Sequence, residues 1–240
     1  MAGSQMPEQV SPDISIVMAI RNSEAYLAEA LTSIAAQNYP AYELIAVDGG
    51  STDAGPAMVR SFPNASCIPQ TGTGFANAWN TGIKASRAPL IAFLDSDDLW
   101  GADKTVRQLA LLRANPAAGA VYGRVSFFLQ PGHQLPPGYR PELLEESRLT
   151  PMTGSTILRR EIVERLGEFD ENLTIASDIA WFAKLRDKIS LVALDEVVLF
   201  KRLHASNLGH ITPQSVLKTE LLTLLKERIT DSRSLPKGRG

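Results

Sequence analysis

Three aspartates, Asp95, Asp97 and Asp98, fall within the run Asp95-Ser96-Asp97-Asp98-Leu99-Trp100 that closes an apolar segment. In extended chain, residues two apart point to the same side, so Asp95 and Asp97 present a hard, all-oxygen donor pair. Such a pair suits Mn2+ or Mg2+ rather than zinc. A cation held by one or two carboxylates completes its shell with water and substrate phosphates. The chemistry indicated is Lewis-acid stabilisation of a departing phosphate oxygen. Taken alone, the same residues also fit a solvated acidic turn that caps the next helix.

The elements that must carry this turn follow a repeating pattern. Residues 14–19 form a β-branched apolar run, Asn22 and Ser23 can cap a helix, and Leu27, Ala30, Leu31 and Ile34 recur at helical spacing. A strand over 42–47 ends at Asp48 and the Gly49-Gly50 turn. A helix opened by Pro56, a strand over 66–68, a helix over 76–85 and a strand over 90–94 repeat the unit. A helix over 104–114 and a strand over 120–128 follow. Strands alternating with helices predict an α/β fold, a mostly parallel sheet with helices on both faces. Ligands of such sheets sit beyond the carboxyl ends of the strands, where Arg21, Asn22, Asp48 and the aspartate run should converge.

Beyond residue 128 the chain turns rich in Pro and Gly without periodicity, the pattern of a lid or acceptor loop. Helical patterns return over 159–166 and 179–186, and 191–203 reads as a late strand or hairpin. Thr212 and Pro213 open a last helix whose Val216, Leu217, Leu221, Leu224, Leu225 and Ile229 form an apolar face. That face packs on its own domain, or else serves a homodimer or a peripheral membrane contact.

Composition narrows the class. Across 240 residues, 24 basic side chains stand against 26 acidic ones, a formal charge of -2, so no nucleic-acid footprint is present. The single cysteine, Cys67, excludes an internal disulfide framework and a multi-cysteine metal site, and fits a reducing compartment. The first residues lack the basic and apolar regions of a secretory signal, and no run is long enough to span a bilayer. A cytoplasmic location is expected.

In order along the chain, residues 16–22, SIAAQNYPAYELIAVDGGSTD, GTGFANAWNTGIKASRAPLIAFLDSDDLW, TGSTILRREIVERLGEFDENL and ASDIAWFAKL resemble the GT-A glycosyltransferases of family 2. The resemblance covers residues 13–205. It implies an inverting transfer of a sugar from a nucleotide-diphosphate donor, a UDP-sugar first among them, with Mn2+ or Mg2+ on the diphosphate. By position, Ala19, Arg21, Asp48, Asn80, Asp95, Ser96 and Asp97 would contact the donor, and Asp97, Asp98 and His204 the metal. Asp178 takes the place of the base that accepts the acceptor hydroxyl proton. The implied organisation is a leader at 1–12, a GT-A domain at 13–210, a C-terminal helix at 211–231 and a tail at 232–240. Within the domain, 13–100 forms the nucleotide-sugar half and 101–210 the acceptor half.

The chain departs from the family pattern at four positions. Ala19 and Arg21 stand where relatives commonly have proline and an aromatic residue, Gly49 where they have a second aspartate, and Ser177 where they often have glutamate. Gly49 removes a carboxylate that can hydrogen-bond uracil. Beside His204, Lys201 and Arg202 can neutralise a leaving diphosphate or form a charged strand edge. For Asn80, a cap or turn contact competes with donor binding. Trp100 can line a sugar pocket or the core. A haloacid-dehalogenase-like phosphatase also places DxD after a strand, but near the chain start; an inactive nucleotide-sugar binding module is the other alternative.

Overall fold

The computed structural model describes residues 11–234, with side chains through residue 226. Most of the expected leader, residues 1–10, and the end of the expected tail, residues 235–240, lie outside the described residues.

Strand β1 (Ile14–Ile20) and helix α1 (Glu24–Ala35) form the first unit, β2 (Tyr42–Asp48) and α2 (Gly55–Arg60) the second, β3 (Ala65–Pro69) and α3 (Gly74–Ala85) the third. Next come β4 (Leu90–Phe93), a two-residue β5 (Leu99–Trp100), α4 (Lys104–Ala114) and β6 (Ala118–Phe128). Short β7 (Arg148–Leu149) precedes β8 (Thr156–Arg159), α5 (Arg160–Leu166), α6 (Ser177–Lys188) and β9 (Ser190–Arg202). One turn, α7 (Leu208–Ile211), leads to α8 (Gln214–Ser234).

All strands join one sheet in the order β3-β2-β1-β4-β8-β6-β9-β5, with β7 on β6. Strands β1, β2, β3 and β4 pair in parallel, and β6 with β9 likewise. Strand β8 runs against both β4 and β6, so these two halves point the same way across one reversed strand. The mostly parallel sheet of the sequence pattern therefore holds, with β8, β5 and β7 as antiparallel exceptions. Strand β9 is one continuous 13-residue strand rather than a hairpin.

One apolar layer joins β1 and β2 to α1 through Ile16, Met18, Leu27, Leu31, Ile34 and Leu44. The other packs α3 and α6 on the opposite face through Val17, Trp79, Phe93, Phe169, Trp181 and Leu185. Side chains alternate along each strand, so β1 sends Ile16 and Met18 to one layer and Val17 to the other. Helix α3 comes so near β1 that a Cβ on Gly82 would lie 2.3 Å from Cγ1 of Val17. Helix α8 packs lightly: no residue of it with a described side chain is fully buried, and Leu222 and Leu225 are exposed. No described helix is long and apolar enough to cross a membrane.

Candidate active site

The aspartate turn hangs from the carboxyl end of β4, in the middle of the sheet, and is met there by the carboxyl end of β9. Lys201 donates through Nζ to Oδ2 of Asp98 at 2.9 Å and to Oδ2 of Asp95 at 3.2 Å. The backbone N–H of Arg202 donates to Oδ1 of Asp98 at 2.8 Å, so both Asp98 oxygens are engaged and its side chain is only 1% exposed. Asp97 accepts from Asn207 and shares Oδ2 with Nε2 of His204 at 2.9 Å, while Nδ1 of His204 meets Ser206.

Arg202 braces this turn from below. Its guanidinium is fully buried, donates to the Asp97 carbonyl at 2.9 Å and to Glu29 at 3.1 Å, bonds Gln130, and lies against the rings of Tyr26 and Phe128. Its side chain has no exposed surface, whereas Lys201 keeps 27% of its side chain exposed.

Charge follows from this packing. Burial raises the Asp98 carboxyl to about 7, with Asp97 and Asp95 adding repulsion that Lys201 only partly offsets. Burial raises Asp95 as well. For Asp97, burial acts upward but the His204 hydrogen bond and the Lys201 charge outweigh it, and its carboxyl sits below the usual range. Burial works against the Lys201 ammonium, yet three surrounding aspartates carry its pKa well above the ordinary lysine value.

One oxygen of each aspartate lies within 4.8 Å of the others, an all-oxygen set. Oδ1 of Asp95 is buried without a hydrogen-bond partner. Such an atom needs a ligand, and an all-oxygen set of this size fits a hard divalent cation. Each Asp98 oxygen already accepts one hydrogen bond, from Lys201 or Arg202, and keeps a second lone pair toward the set.

Asp178 lies in the first turn of α6, where its Oδ1 accepts the N–H of Ile179. Burial raises its pKa above the usual carboxylate range, and the charge of Asp95 pushes in the same direction. Asp178, Asp95, Asp97 and Lys201 line one cavity of about 230 Å3, with Trp79, Phe127 and Tyr139 also on its walls. Two larger clefts, of about 550 and 490 Å3, open at the far end of the sheet near Asp13 and Pro89 and contain none of these groups.

The remaining expected residues divide into two groups. Ala19, Arg21 and Asp48 stand at adjoining ends of β1 and β2, where Gly49 N–H bonds the Ile20 carbonyl and Asp48 Oδ1 accepts from Ser51 N–H. Asn22, at φ +49°, ties this corner to Thr52 and Ser51. Ser96 is half-buried in the aspartate turn.

Asn80 is elsewhere. Its amide donates to the Phe169 carbonyl and to Glu171 and accepts from Phe169 N–H, so the turn contact has claimed the whole side chain. Trp100 is likewise a core residue beneath Lys104, and Trp79 takes the place on the cavity wall. The bracing by Glu29 and Gln130 has no signal in the sequence, because both are ordinary surface types joined to the turn only through Arg202.

A family model described as glycosyl transferase family 2 matches residues 15–167. An uncharacterized glycosyltransferase of Rickettsia prowazekii is 30% identical over 211 residues, covering 82% of this chain and 65% of that protein. The chain thus spans about two thirds of the length of this curated relative. Among solved structures, a mannosyltransferase of Pyrobaculum calidifontis in complex with GDP-Man and Mn2+ superposes with a TM-score of 0.67 at 23% identity, over 92% of this chain and 65% of that one. TarS of S. aureus in complex with UDP-GlcNAc gives 0.65 at 19% identity, over 84% and 61%. Both likenesses concern the fold, which is the GT-A arrangement.

Proposed function

The chain belongs to glycosyl transferase family 2, and we propose that it transfers a sugar, with inversion, from a nucleoside-diphosphate sugar to an acceptor hydroxyl. One observation carries this reading: a single cavity is lined by a carboxylate of raised pKa, Asp178, and by the Asp95, Asp97 and Lys201 cluster. A base and a carboxylate cluster able to hold a divalent cation, with a lysine ammonium beside it, facing one space are what an in-line displacement at a glycosidic carbon requires.

Asp178 accepts the proton of the acceptor hydroxyl as that oxygen attacks the anomeric carbon. The bond from that carbon to the diphosphate oxygen breaks, and its electron pair leaves with the nucleoside diphosphate. Lys201 places an ammonium where that charge collects. Asp95, through its free Oδ1, and Asp97 are the residues that would hold a divalent cation, with His204 orienting Asp97. When bound, the cation supplies Lewis-acid neutralisation of the diphosphate. Asp98 anchors β9 to the turn. Ala19, Arg21 and Asp48 receive the nucleoside at the β1 and β2 ends, and Ser96 meets the donor from the turn. Residues 13–100 thereby act as the donor half and 101–210 as the acceptor half.

Two measurements test this. Thermal stabilisation by UDP, GDP, TDP and CDP, each with and without Mn2+ or Mg2+, should single out one nucleotide with a metal-dependent shift, because a ligand of the folded state alone raises Tm. No shift with any of them would overturn the donor reading. Asp178→Asn should retain that shift and lose turnover; full turnover in the variant would remove Asp178 as the base, and absence of turnover in both forms would leave an inactive binding module.

A further inference from the structure

We infer that Glu220, on α8, is a positioning residue for Asp178, so that the C-terminal helix sets the geometry of the proposed base. The inference rests on the assignment of Asp178 made above.

The N-terminus of α6 has an unusual cap. Its N-cap residue is Ala176, which has no side chain able to accept the free N–H groups of a first helical turn. Glu220 instead fixes the backbone that leads into that turn, accepting the N–H groups of the N-cap and the two residues before it from 44 to 46 residues away. Its Oε2 accepts the N–H of Ala176 at 2.9 Å and of Ile175 at 3.1 Å, and its Oε1 accepts the N–H of Thr174 at 2.6 Å. Burial acts upward on its pKa, but the three N–H donors outweigh it and hold the carboxyl below its ordinary value. The anion also sits where the dipole of α6 favours negative charge.

Asp178 depends on that backbone. It lies two residues beyond Ala176, and its Oδ1 is oriented by the N–H of the next residue, Ile179. Thr174 and Ile175, the residues that Glu220 grips, line the same cavity as Asp178. Rotation or fraying of the turn therefore moves the proposed base relative to Asp95 and Lys201, whose positions are fixed from the sheet. Because α8 has no fully buried residue with a described side chain, this three-bond grip is a strong tie between helix and site.

The predicted effect is on turnover, not on donor binding. Hydrolysis of the donor, with water as acceptor, avoids the need for a known acceptor. UDP-glucose, UDP-GlcNAc and GDP-mannose with Mn2+ form the probe set, and the one that raises Tm most is used. Glu220→Gln keeps the shape but halves the acceptor capacity. It should lower kcat about tenfold with KM for the donor unchanged within about twofold, and should speed amide hydrogen exchange in residues 174–179. Leu222→Ala, on the exposed side of the same helix, should change neither.

Wild-type kcat in Glu220→Gln, when Asp178→Asn has lost turnover, would overturn the inference and spare the base assignment. A rise in KM equal to the fall in kcat, or the same losses in Leu222→Ala, would also overturn it, since both describe general loosening. If Asp178→Asn keeps full turnover, the base assignment falls first and the inference with it. If no probe is turned over, unchanged exchange over 174–179 in Glu220→Gln overturns the inference on its own.

Discussion

Lys201 and Asp98 meet at 2.9 Å across 103 residues of chain, and this pair ties the last strand of the sheet to the acidic turn. The pair is asymmetric. Asp98 is buried and also accepts a backbone N–H, while Lys201 keeps a solvent-facing side and reaches Asp95 as well. The lysine is thus a cation resident in the very cluster that a divalent ion would enter.

Lys201→Met leaves two buried carboxylates without their counter-charge, and removing one partner of such a pair costs about 3 kcal/mol. Urea denaturation at neutral pH should show that loss. Added Mn2+ should raise the Tm of Lys201→Met more than that of the wild type, since the variant cluster has one fewer competing cation. Equal Mn2+ shifts in the two proteins would show that Lys201 does not share the metal's position.

Asp178 yields a paired prediction in pH and stability. Its pKa is raised in the folded protein, so the folded state holds the proton more tightly than the unfolded chain does. Stability from this group therefore increases as pH falls from above the raised value toward the ordinary carboxylate value, the reverse of a salt-bridged aspartate. Activity runs the other way, being lost as pH falls through the raised value. Asp178→Asn should abolish turnover and raise Tm at neutral pH; a gain of ~1 kcal/mol would appear as about 2–4 °C in a domain of this size. A lower Tm in the variant would contradict the burial argument.

Asn80→Ala separates two accounts of one residue. Its amide satisfies both backbone groups of Phe169 and one oxygen of Glu171. Loss of these buried bonds should cost about 2–3 kcal/mol. Donor affinity, measured by calorimetry, should stay within about twofold. A large loss of affinity with unchanged stability would restore the donor-contact role read from its position.

Gly82→Ala probes how closely α3 lies on the sheet. The new Cβ would meet Val17 at 2.3 Å and Val47 at 3.2 Å. Overpacking of this kind costs about 1–3 kcal/mol, against which the better helix propensity of alanine returns at most about 1 kcal/mol. Wild-type stability would mean that α3 lifts off β1 without penalty.

The sequence announced the site more fully on its first half than on its second. Residues 14–94 alternate strand and helix with clear turns, and the aspartate turn sits where an apolar strand runs out. Thr156–Arg159 was illegible as a strand because its four residues merge into the helical pattern of Arg160–Leu166. Asp98 resembled its neighbours in sequence, and only the arrival of β9 gave it a second task as the anchor of that strand. Asn80 was ambiguous until Phe169 came to lie beside it. Glu220 carried no local signal, since a glutamate on an exposed helix is ordinary and its three partners lie 44 to 46 positions earlier.

The reach of β9 bears on the order of events at the ribosome. Residues 14–100 hold the parallel half-sheet and the whole acidic turn, and emerge well before Lys201 and Arg202. While synthesis proceeds from the N-terminus, the three aspartates have no counter-charge and the Asp97 carbonyl has no guanidinium beneath it. A chain interrupted anywhere before residue 201 therefore contains the acidic motif in full and lacks the site, which needs Lys201 and Arg202 at the end of the last strand and His204 and Asn207 beyond it.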